Sequence, residues 1–233
     1  MNKLMKILMP AVFFLCSGLI LWFISNYTAS RMFAGPLSYL GGPTGDYYSP
    51  VEMMWWIIIF TPIWCLCGWI LDMDTRYAKL ALYRYNPVQR WWLLLIGKIY
   101  ILNLLYFTLF AALLKLRLGQ AMDLTLITSI FIQMLHSLAM LALMVWTYIL
   151  FKKTVLSISI LIVGEAFSKT LTLMGVVPSL NPLVWGMAGY TEKNWTSGGF
   201  NLMTITILQL IFTAAVIVLP IHFKSLILRS VED

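Results

Sequence analysis

Three ionisable side chains lie inside stretches of the sequence that are otherwise apolar. Glu165 and Lys169 stand four residues apart in one apolar run, and His136 lies in the run before it. Insertion scales put the cost of an ionised residue at the centre of a membrane at roughly 2.5–3.5 kcal/mol, so such residues are candidates for function. Their spacing, with the glutamate on the N-terminal side, also favours an ion pair within one helix.

Two interpretations of the Glu165 and Lys169 pair therefore stay open. The charges neutralise each other in a helix that packs inward, or they line a polar pathway or contact a partner helix. For His136 the choice lies between a hydrogen-bonded packing residue and a member of the same pathway.

The sequence lacks the patterns of an enzyme. A phosphate-binding loop of the form Gly-x-x-x-x-Gly-Lys-Ser/Thr is absent, since Gly97 and Lys98 are followed by Ile99. The two histidines, His136 and His222, fall in different predicted helices and cannot form a His-Glu-x-x-His metal site. No Gly-x-Ser-x-Gly nucleophile motif occurs either. We therefore predict a chain with no catalytic residue, no metal and no cofactor of its own.

The composition predicts the scaffold that holds these residues. Of the 233 residues, 61% are hydrophobic and 11% are charged, which is typical of polytopic membrane proteins. We predict an all-α fold in which residues 1–233 form a single transmembrane domain. Its six spans are expected at about 7–25, 50–71, 91–114, 123–151, 154–177 and 202–219. The second span contains Trp55, Trp56, Trp64 and Trp69, and the tryptophans near its two ends fit the interfacial aromatic belts.

The net charge of +7 reports orientation once its distribution is considered. Six spans place both termini on one side, and the basic residues there outnumber those on the other side. They are Lys3, Lys6, Arg76, Lys79, Arg84, Arg90, Lys98, Lys152, Lys153, Lys224 and Arg229, against Arg31, Lys115, Arg117 and Lys193. The positive-inside rule then predicts a multi-pass protein of the plasma membrane with both termini in the cytoplasm, bound by lipid and with no nucleic-acid partner.

Residues 72–98 are strongly charged and lie between two predicted spans; we call them the basic arm. Asp74 or Thr75 is expected to cap a short helix on which Arg76, Lys79 and Tyr83 share a face. Asn86 precedes a proline and should end that helix. Asn86 and Pro87 then begin a new helix through Arg90 into the third span. The expected product is a surface helix joined by a short hinge to a membrane helix.

A second Asn-Pro pair, Asn181 and Pro182, opens a stretch that ends near Tyr190 and contains Trp185. The stretch is too short to cross a membrane, so a surface or half-inserted helix is expected before the sixth span.

This layout resembles the permease subunits of type 2 ABC exporters, including bacterial permeases for peptide export, antibiotic resistance and bacteriocin immunity. The resemblance rests on the six spans, on Asn86-Pro87-Val88-Gln89-Arg90 and Gly97-Lys98 after the arm helix, and on Asn181-Pro182-x-x-Trp185 before the last span. It covers nearly the whole chain.

The resemblance implies partners and roles. In that family the loop between spans two and three is a coupling helix seated in the ATPase, which points to Arg76, Tyr77, Lys79, Leu80, Tyr83 and Arg84. Two ATPase subunits would bind ATP and Mg, and the permease would form a homodimer or pair with a sister permease. The segment with Asn181, Pro182 and Trp185 would correspond to re-entrant helices that close the pathway.

The function expected from the resemblance is export of a hydrophobic or amphipathic cargo such as a peptide, an antibiotic or a lipid-like molecule. Two alternatives remain. One is an ion-coupled carrier or channel that uses Glu165, Lys169 and His136, although no inverted repeat is evident. The other is a membrane scaffold or sensor subunit whose arm binds a signalling protein.

Overall fold

The computed structural model describes most of the chain, as residues 50–82, 88–118, 124–187 and 201–222. In the N-terminal region it describes Val12, Phe13, Leu15, 17–19 and Trp22. All regular structure in these ranges is helical, as the apolar composition predicts. The first predicted span lies largely outside the described residues.

Five α-helices and two 3-10 turns make up the described fold. The helices are α1 (Pro50–Leu82), α2 (Val88–Leu118), α3 (Leu124–Phe151), α4 (Thr154–Leu173) and α5 (Leu202–His222). The 3-10 turns are Pro178–Leu180 and Pro182–Val184, between α4 and α5.

Four of these helices are long and apolar enough to cross a membrane. The candidate spans are Trp56–Thr75, Arg90–Leu116, Ile127–Phe151 and Thr154–Leu173. Helix α5 contributes a shorter apolar stretch, Leu202–Ala215. The chain is therefore a helical membrane protein by length and composition, and the arrangement of six spans stays a prediction.

Helix α3 lies at the centre of the bundle. It packs against α1, α2, α4 and α5, and α1 packs in addition against α2 and α4. Within its span, 61% of α3 is buried, whereas the figure for α4 is 28%. Polar and charged groups of α3 and of the inner face of α4 are therefore removed from lipid.

The aromatic core follows from a four-residue spacing on α1. Trp56, Phe60 and Trp64 share one face of the helix and are buried. The rings of Phe60 and Trp64 stack at 5.6 Å, and Phe107 of α2 lies 6.1 Å from Phe60. Trp56 and Trp64 thus belong to the core, and the interfacial belt stays a prediction.

Gly68 continues the same face of α1 and brings α4 close. A Cβ atom built at Gly68 would lie 2.6 Å from Thr154 Cγ2 and 3.0 Å from Ile158 Cδ1. Real carbon contacts are near 3.5–4.0 Å, so only glycine permits this approach without a shift. Gly68 therefore allows α1 to lie close to the beginning of α4.

The expected helix start in the basic arm is wrong. Helix α1 continues without a break from Pro50 through Leu82, past the predicted end of the second span near Leu71. The Thr75 hydroxyl does not cap a helix, because it donates to the carbonyl of Leu71 (2.7 Å) within α1. A threonine can satisfy its hydroxyl in this way without ending a helix. The predicted hinge at residues 83–87 lies outside the described residues.

Helix α4 ends earlier than the predicted span. Gly175 has a φ of 97°, which favours glycine, and its N–H donates to the carbonyl of Thr172 (3.0 Å). The N–H of Val176 donates to the carbonyl of Leu171 (3.1 Å). This pair of bonds is a Schellman motif, and it ends α4 at Leu173 where the sequence predicts a span through residue 177.

Candidate functional site

The buried carboxylate of Glu165 joins three helices. Its Oε2 atom accepts a hydrogen bond from Trp56 Nε1 of α1 (2.9 Å), and its Oε1 atom lies 2.6 Å from His136 Nε2 of α3. None of the three residues is more than 1% exposed. We call Trp56, His136 and Glu165 the buried centre.

Helix α4 positions Glu165 through its buried face. The buried residues of α4 are Ser157, Leu161, Glu165, Ser168 and Lys169. Their spacing of three and four places them on one side of the helix. Val155, Val163 and Phe167 are exposed on the other side. The ionisable pair therefore faces the bundle, whereas the apolar side chains face outward.

A short hydrogen bond joins Glu165 and His136, and one of the two contacting atoms must carry a hydrogen. At 2.6 Å a hydrogen bond requires a hydrogen on either Nε2 of the imidazole or Oε1 of the carboxyl group. The contact is an ion pair when His136 is protonated. Among the described residues, Nδ1 of His136 has no hydrogen-bond partner. Because a buried carboxyl group is costly unless it is hydrogen-bonded, the contacts with Trp56 and His136 explain how Glu165 is accommodated.

Lys169 is as buried as Glu165 and lies one helical turn further along the same face. The interpretation of these two residues as a helix-internal ion pair stays a prediction. What the structure adds is that both carboxylate oxygens of Glu165 are engaged by residues of other helices.

The described part of the connection between α4 and α5 differs from the expected short helix. Residues 174–187, which we call the 3-10 segment, contain two turns of three residues each with Asn181 between them in an extended conformation. A residue before proline is pushed away from the helical region, which explains the interruption. Pro182 begins the second turn, and the Asn181 side chain caps it by accepting from the N–H of Leu183 (3.2 Å).

Asn181 also fastens the 3-10 segment to α4. Its Nδ2 atom donates to the carbonyl of Ser168 (2.9 Å) and to the hydroxyl of Thr172 (3.3 Å), and the residue is 2% exposed. Trp185 Nε1 donates to the carbonyl of Ser179 (3.2 Å). Both residues identified from the sequence thus hold the segment in its folded conformation.

At Gly186 the 3-10 segment packs directly against the buried centre. A Cβ atom at Gly186 would lie 2.6 Å from His136 Cγ and 2.7 Å from His136 Cβ and Cδ2. Val184 and Met187 on either side are fully buried. The backbone of the segment therefore covers one side of the imidazole whose Nε2 atom contacts Glu165.

Trp56 and Gly186 are the members of this arrangement that the sequence does not reveal. Trp56 stands 109 residues from Glu165, so no local spacing connects them. A signal exists in the four-residue repeat of Trp56, Phe60 and Trp64, which indicates one inward face of α1. For Gly186 no sequence signal is apparent.

The basic arm is described only in part. The backbone that carries Arg76, Tyr77, Lys79 and Leu80 is the last section of α1, and the side chains of these four residues lie outside the description. Tyr83, Arg84, Asn86 and Pro87 lie outside the described residues altogether. Arg90 is exposed near the beginning of α2.

Two polar contacts connect Asp74 and Thr75, near the beginning of the basic arm, to other helices. The Thr75 and Tyr148 hydroxyl groups are 2.7 Å apart and join α1 to α3. Lys98 Nζ of α2 donates to Asp74 Oδ2 (2.6 Å), with Lys98 and Asp74 side chains 57% and 26% exposed.

Comparison with protein-family models, with curated proteins and with solved structures gives no match for this chain. Within the described ranges, no group of three or more His, Cys, Asp or Glu side chains is placed to hold a metal ion. The described residues therefore form a helical membrane protein in which Glu165 and His136 meet at a closed centre between α1, α3 and α4.

Proposed function

We propose that this chain is the transmembrane subunit of an ATP-binding-cassette exporter that moves a hydrophobic or amphipathic cargo out of the cell. Two ATPase subunits would bind ATP and Mg in the cytoplasm, and the chain would pair with itself or with a sister permease. The layout of the sequence supports this proposal, as does the absence of a nucleotide-binding loop in a chain rich in apolar helices.

The observation that carries the proposal is the continuity of α1. One helix runs from the buried aromatic core, through the end of its candidate span at Thr75, to Leu82 in the basic arm. An uninterrupted helix transmits a displacement of its end along its axis. A partner that binds the arm would therefore move the span directly, with no flexible linker between the two.

The contacts at the base of the arm extend this coupling to the rest of the bundle. Thr75 is buried and its hydroxyl meets Tyr148 of α3, the central helix. The Asp74 and Lys98 pair connects α1 with α2. Because the Asp74 and Lys98 pair is partly exposed, its own contribution to stability is small, about 0.2–1 kcal/mol. Its proposed role is to make α1 and α2 move together.

In the mechanism we propose, closure of the ATPase subunits on ATP pushes the arm and tilts α1 and α2. The tilt opens a path between the two permease halves. The chain itself performs no chemical step.

Charge reversal in the arm tests this role. Lys79→Glu together with Arg84→Glu is expected to weaken ATPase binding at least about tenfold, because a partner surface that accepts basic residues would then face like charges. Co-purification of an ATPase from native membranes and cargo export are the two measurements. The matched control is Lys115→Glu with Arg117→Glu, which makes the same charge change at the other end of α2.

Insertion and orientation of each variant must equal those of the wild type, since the arm also carries the orientation signal. Normal ATPase binding and export in the arm variant would refute the coupling role. Sustained flux by the purified chain alone in liposomes without ATP would refute the whole proposal.

A second candidate is an ion-coupled carrier or channel, and the buried ionisable residues Glu165, Lys169 and His136 favour it. Flux without ATPase that depends on an ion gradient and is lost in Glu165→Gln would support this function instead. A kinase that co-purifies in place of an ATPase would point to the third interpretation, a sensor or scaffold subunit.

A further inference from the structure

We propose that Glu165, together with the rings of Trp56 and Phe60, forms a binding site for the cationic group of an amphipathic cargo, which His136 occupies when cargo is absent. The cargo role rests on the transport function proposed above. Cation binding itself is a property of this chain and is tested without an ATPase.

The anionic part of the site is the carboxylate of Glu165. It is completely buried, and its present partners are the indole N–H of Trp56 at 2.9 Å and the imidazole of His136 at 2.6 Å. The indole is fixed in the aromatic core of α1. The imidazole is the partner that can be exchanged, because a cation in its place supplies the full positive charge that favours a buried carboxylate.

The aromatic part of the site surrounds the imidazole. The His136 ring lies 5.7 Å from the Phe60 ring and 6.3 Å from the Trp56 ring, and these two aromatic rings meet edge to face at 4.9 Å. Cations are attracted to aromatic rings within about 6 Å of the ring centroid. A carboxylate beside tryptophan and phenylalanine rings is the combination that recognises organic ammonium groups, and His136 now fills the space between them.

The 3-10 segment covers this space on the side of Gly186. Its backbone touches the His136 ring so closely that a single added Cβ atom would overlap it. No residue between Met174 and Met187 is ionisable, so the cover adds no competing charge. Entry of a cargo group thus requires the segment to move and the imidazole to leave Glu165.

The composition of the centre favours an organic cation over a metal ion. Glu165 and His136 are two potential ligands, and no third His, Cys, Asp or Glu joins them among the described residues. Lys169, one turn from Glu165 on the same buried face, opposes any second positive charge. A diffuse charge on a bulky, apolar group suits such a site better than a compact ion.

Removing the resident imidazole provides the sharpest test. His136→Ala leaves a space beside the carboxylate and the two rings, so we expect choline to raise the melting temperature of the full-length variant in nanodiscs. The neutral isostere 3,3-dimethyl-1-butanol has the same shape without the charge and should have no such effect. Choline should bind His136→Ala more tightly than it binds the wild type, whereas loss of a purely structural histidine gives no cation-dependent gain.

Two further variants test whether charge attraction explains choline binding. Adding Glu165→Gln to His136→Ala should weaken choline binding at least about tenfold, because the neutral amide lacks the charge that attracts the quaternary ammonium group. Adding Lys169→Met should strengthen choline binding, since it removes the opposing charge. Both substitutions perturb a buried residue of α4, so opposite signs separate charge from simple damage to the fold.

A measurement on the intact site covers the case in which His136→Ala does not fold. Tetraphenylphosphonium should bind the wild-type protein in nanodiscs in equilibrium dialysis, and Glu165→Gln should weaken that binding at least about tenfold, because the amide lacks the attracting charge. Equal responses to choline and its neutral isostere, or tetraphenylphosphonium binding that Glu165→Gln leaves unchanged, would overturn the proposal. Cation binding in a chain that co-purifies with no ATPase would uphold this site while refuting ATP-driven export.

Discussion

Replacement of Gly186 by alanine tests the closed arrangement of the buried centre. Among the described residues positive φ angles occur only at Lys152 and Gly175, so alanine meets no backbone strain at Gly186. The effect of the substitution is therefore steric. The added methyl group would point at the His136 ring, with its carbon 2.6 Å from Cγ.

The magnitude follows from how little His136 can move. The new methyl group would be about 1 Å closer to the ring than the usual 3.5–4.0 Å separation of carbon atoms. His136 cannot turn away without lengthening its 2.6 Å contact with Glu165, and Phe60 lies on another side. Overpacking of this kind costs typically 1–3 kcal/mol. We expect Gly186→Ala to lose about that much stability.

Gly164→Ala is the matched control. A Cβ atom there would meet only Leu183 Cδ2, at 3.8 Å, which is ordinary van der Waals contact. Because alanine favours a helix interior by up to about 1 kcal/mol over glycine, Gly164→Ala should be neutral or stabilising. Thermal unfolding of the two variants in the same detergent or nanodisc compares them directly.

A double-mutant cycle identifies the partner of the new methyl group. In a His136→Gly background both the ring and the Cβ atom of residue 136 are absent, so Gly186→Ala should lose most of its effect. An equal loss of stability in both backgrounds would show that the methyl group clashes elsewhere. A Gly186→Ala variant as stable as Gly164→Ala would refute the contact on which the closed centre depends.

Two more predictions test the packing of α1. Gly68→Ala should destabilise the protein by about 1–3 kcal/mol through its clash with Thr154 Cγ2. Adding Thr154→Ser removes Cγ2 and should relieve this clash. The control Gly97→Ala has open space around its Cβ and should not destabilise the protein. Trp56→Phe should cost about 1–3 kcal/mol in thermal unfolding because it leaves a buried carboxylate oxygen without its donor. Equal costs of Trp56→Phe with and without Glu165→Gln would contradict that origin.

Local chemistry predicts several helix ends from the sequence. Pro50 begins α1 at the position expected for a first-turn proline, and α3 and α4 meet at Lys152 and Lys153, where a tight turn is expected. Gly175 could have placed the end of α4, because glycine after a helix is a common stop signal. These features depend on a few adjacent residues, which is why the sequence contains them.

The partners of the ionisable residues could not be predicted in the same way. Glu165 carries an obvious local partner in Lys169, yet its hydrogen bonds reach Trp56 and His136 on other helices. These contacts depend on how α1, α3 and α4 pack, and no periodicity within one helix specifies that. In the basic arm a local signal is misleading. Asp74 and Thr75 resemble a helix cap, but α1 continues through them because the Thr75 hydroxyl donates to a carbonyl of the same helix.

The geometry of α1 relates the basic arm to the buried centre. Gly68, where α1 lies close to Thr154 and Ile158 of α4, stands between them along α1, and we take it as the pivot. At 1.5 Å per residue, Trp56 is roughly 18 Å from Gly68 on one side and Leu82 roughly 21 Å on the other. For a rigid helix the two ends then move by similar distances in opposite directions.

A small displacement of the arm is therefore enough to disturb the centre. The hydrogen bond from Trp56 to Glu165 is 2.9 Å long, and a separation near 3.6 Å no longer counts as one. Because the two lever arms are nearly equal, a shift of about 0.8 Å at Leu82 would supply the change of about 0.7 Å needed at Trp56. Pro62 lies within that lever, between Trp56 and the pivot, where α1 remains helical and buried. Release of the indole would leave His136 as the remaining partner of the Glu165 carboxylate within this centre, so a push on the arm would break one of the two contacts that hold Glu165.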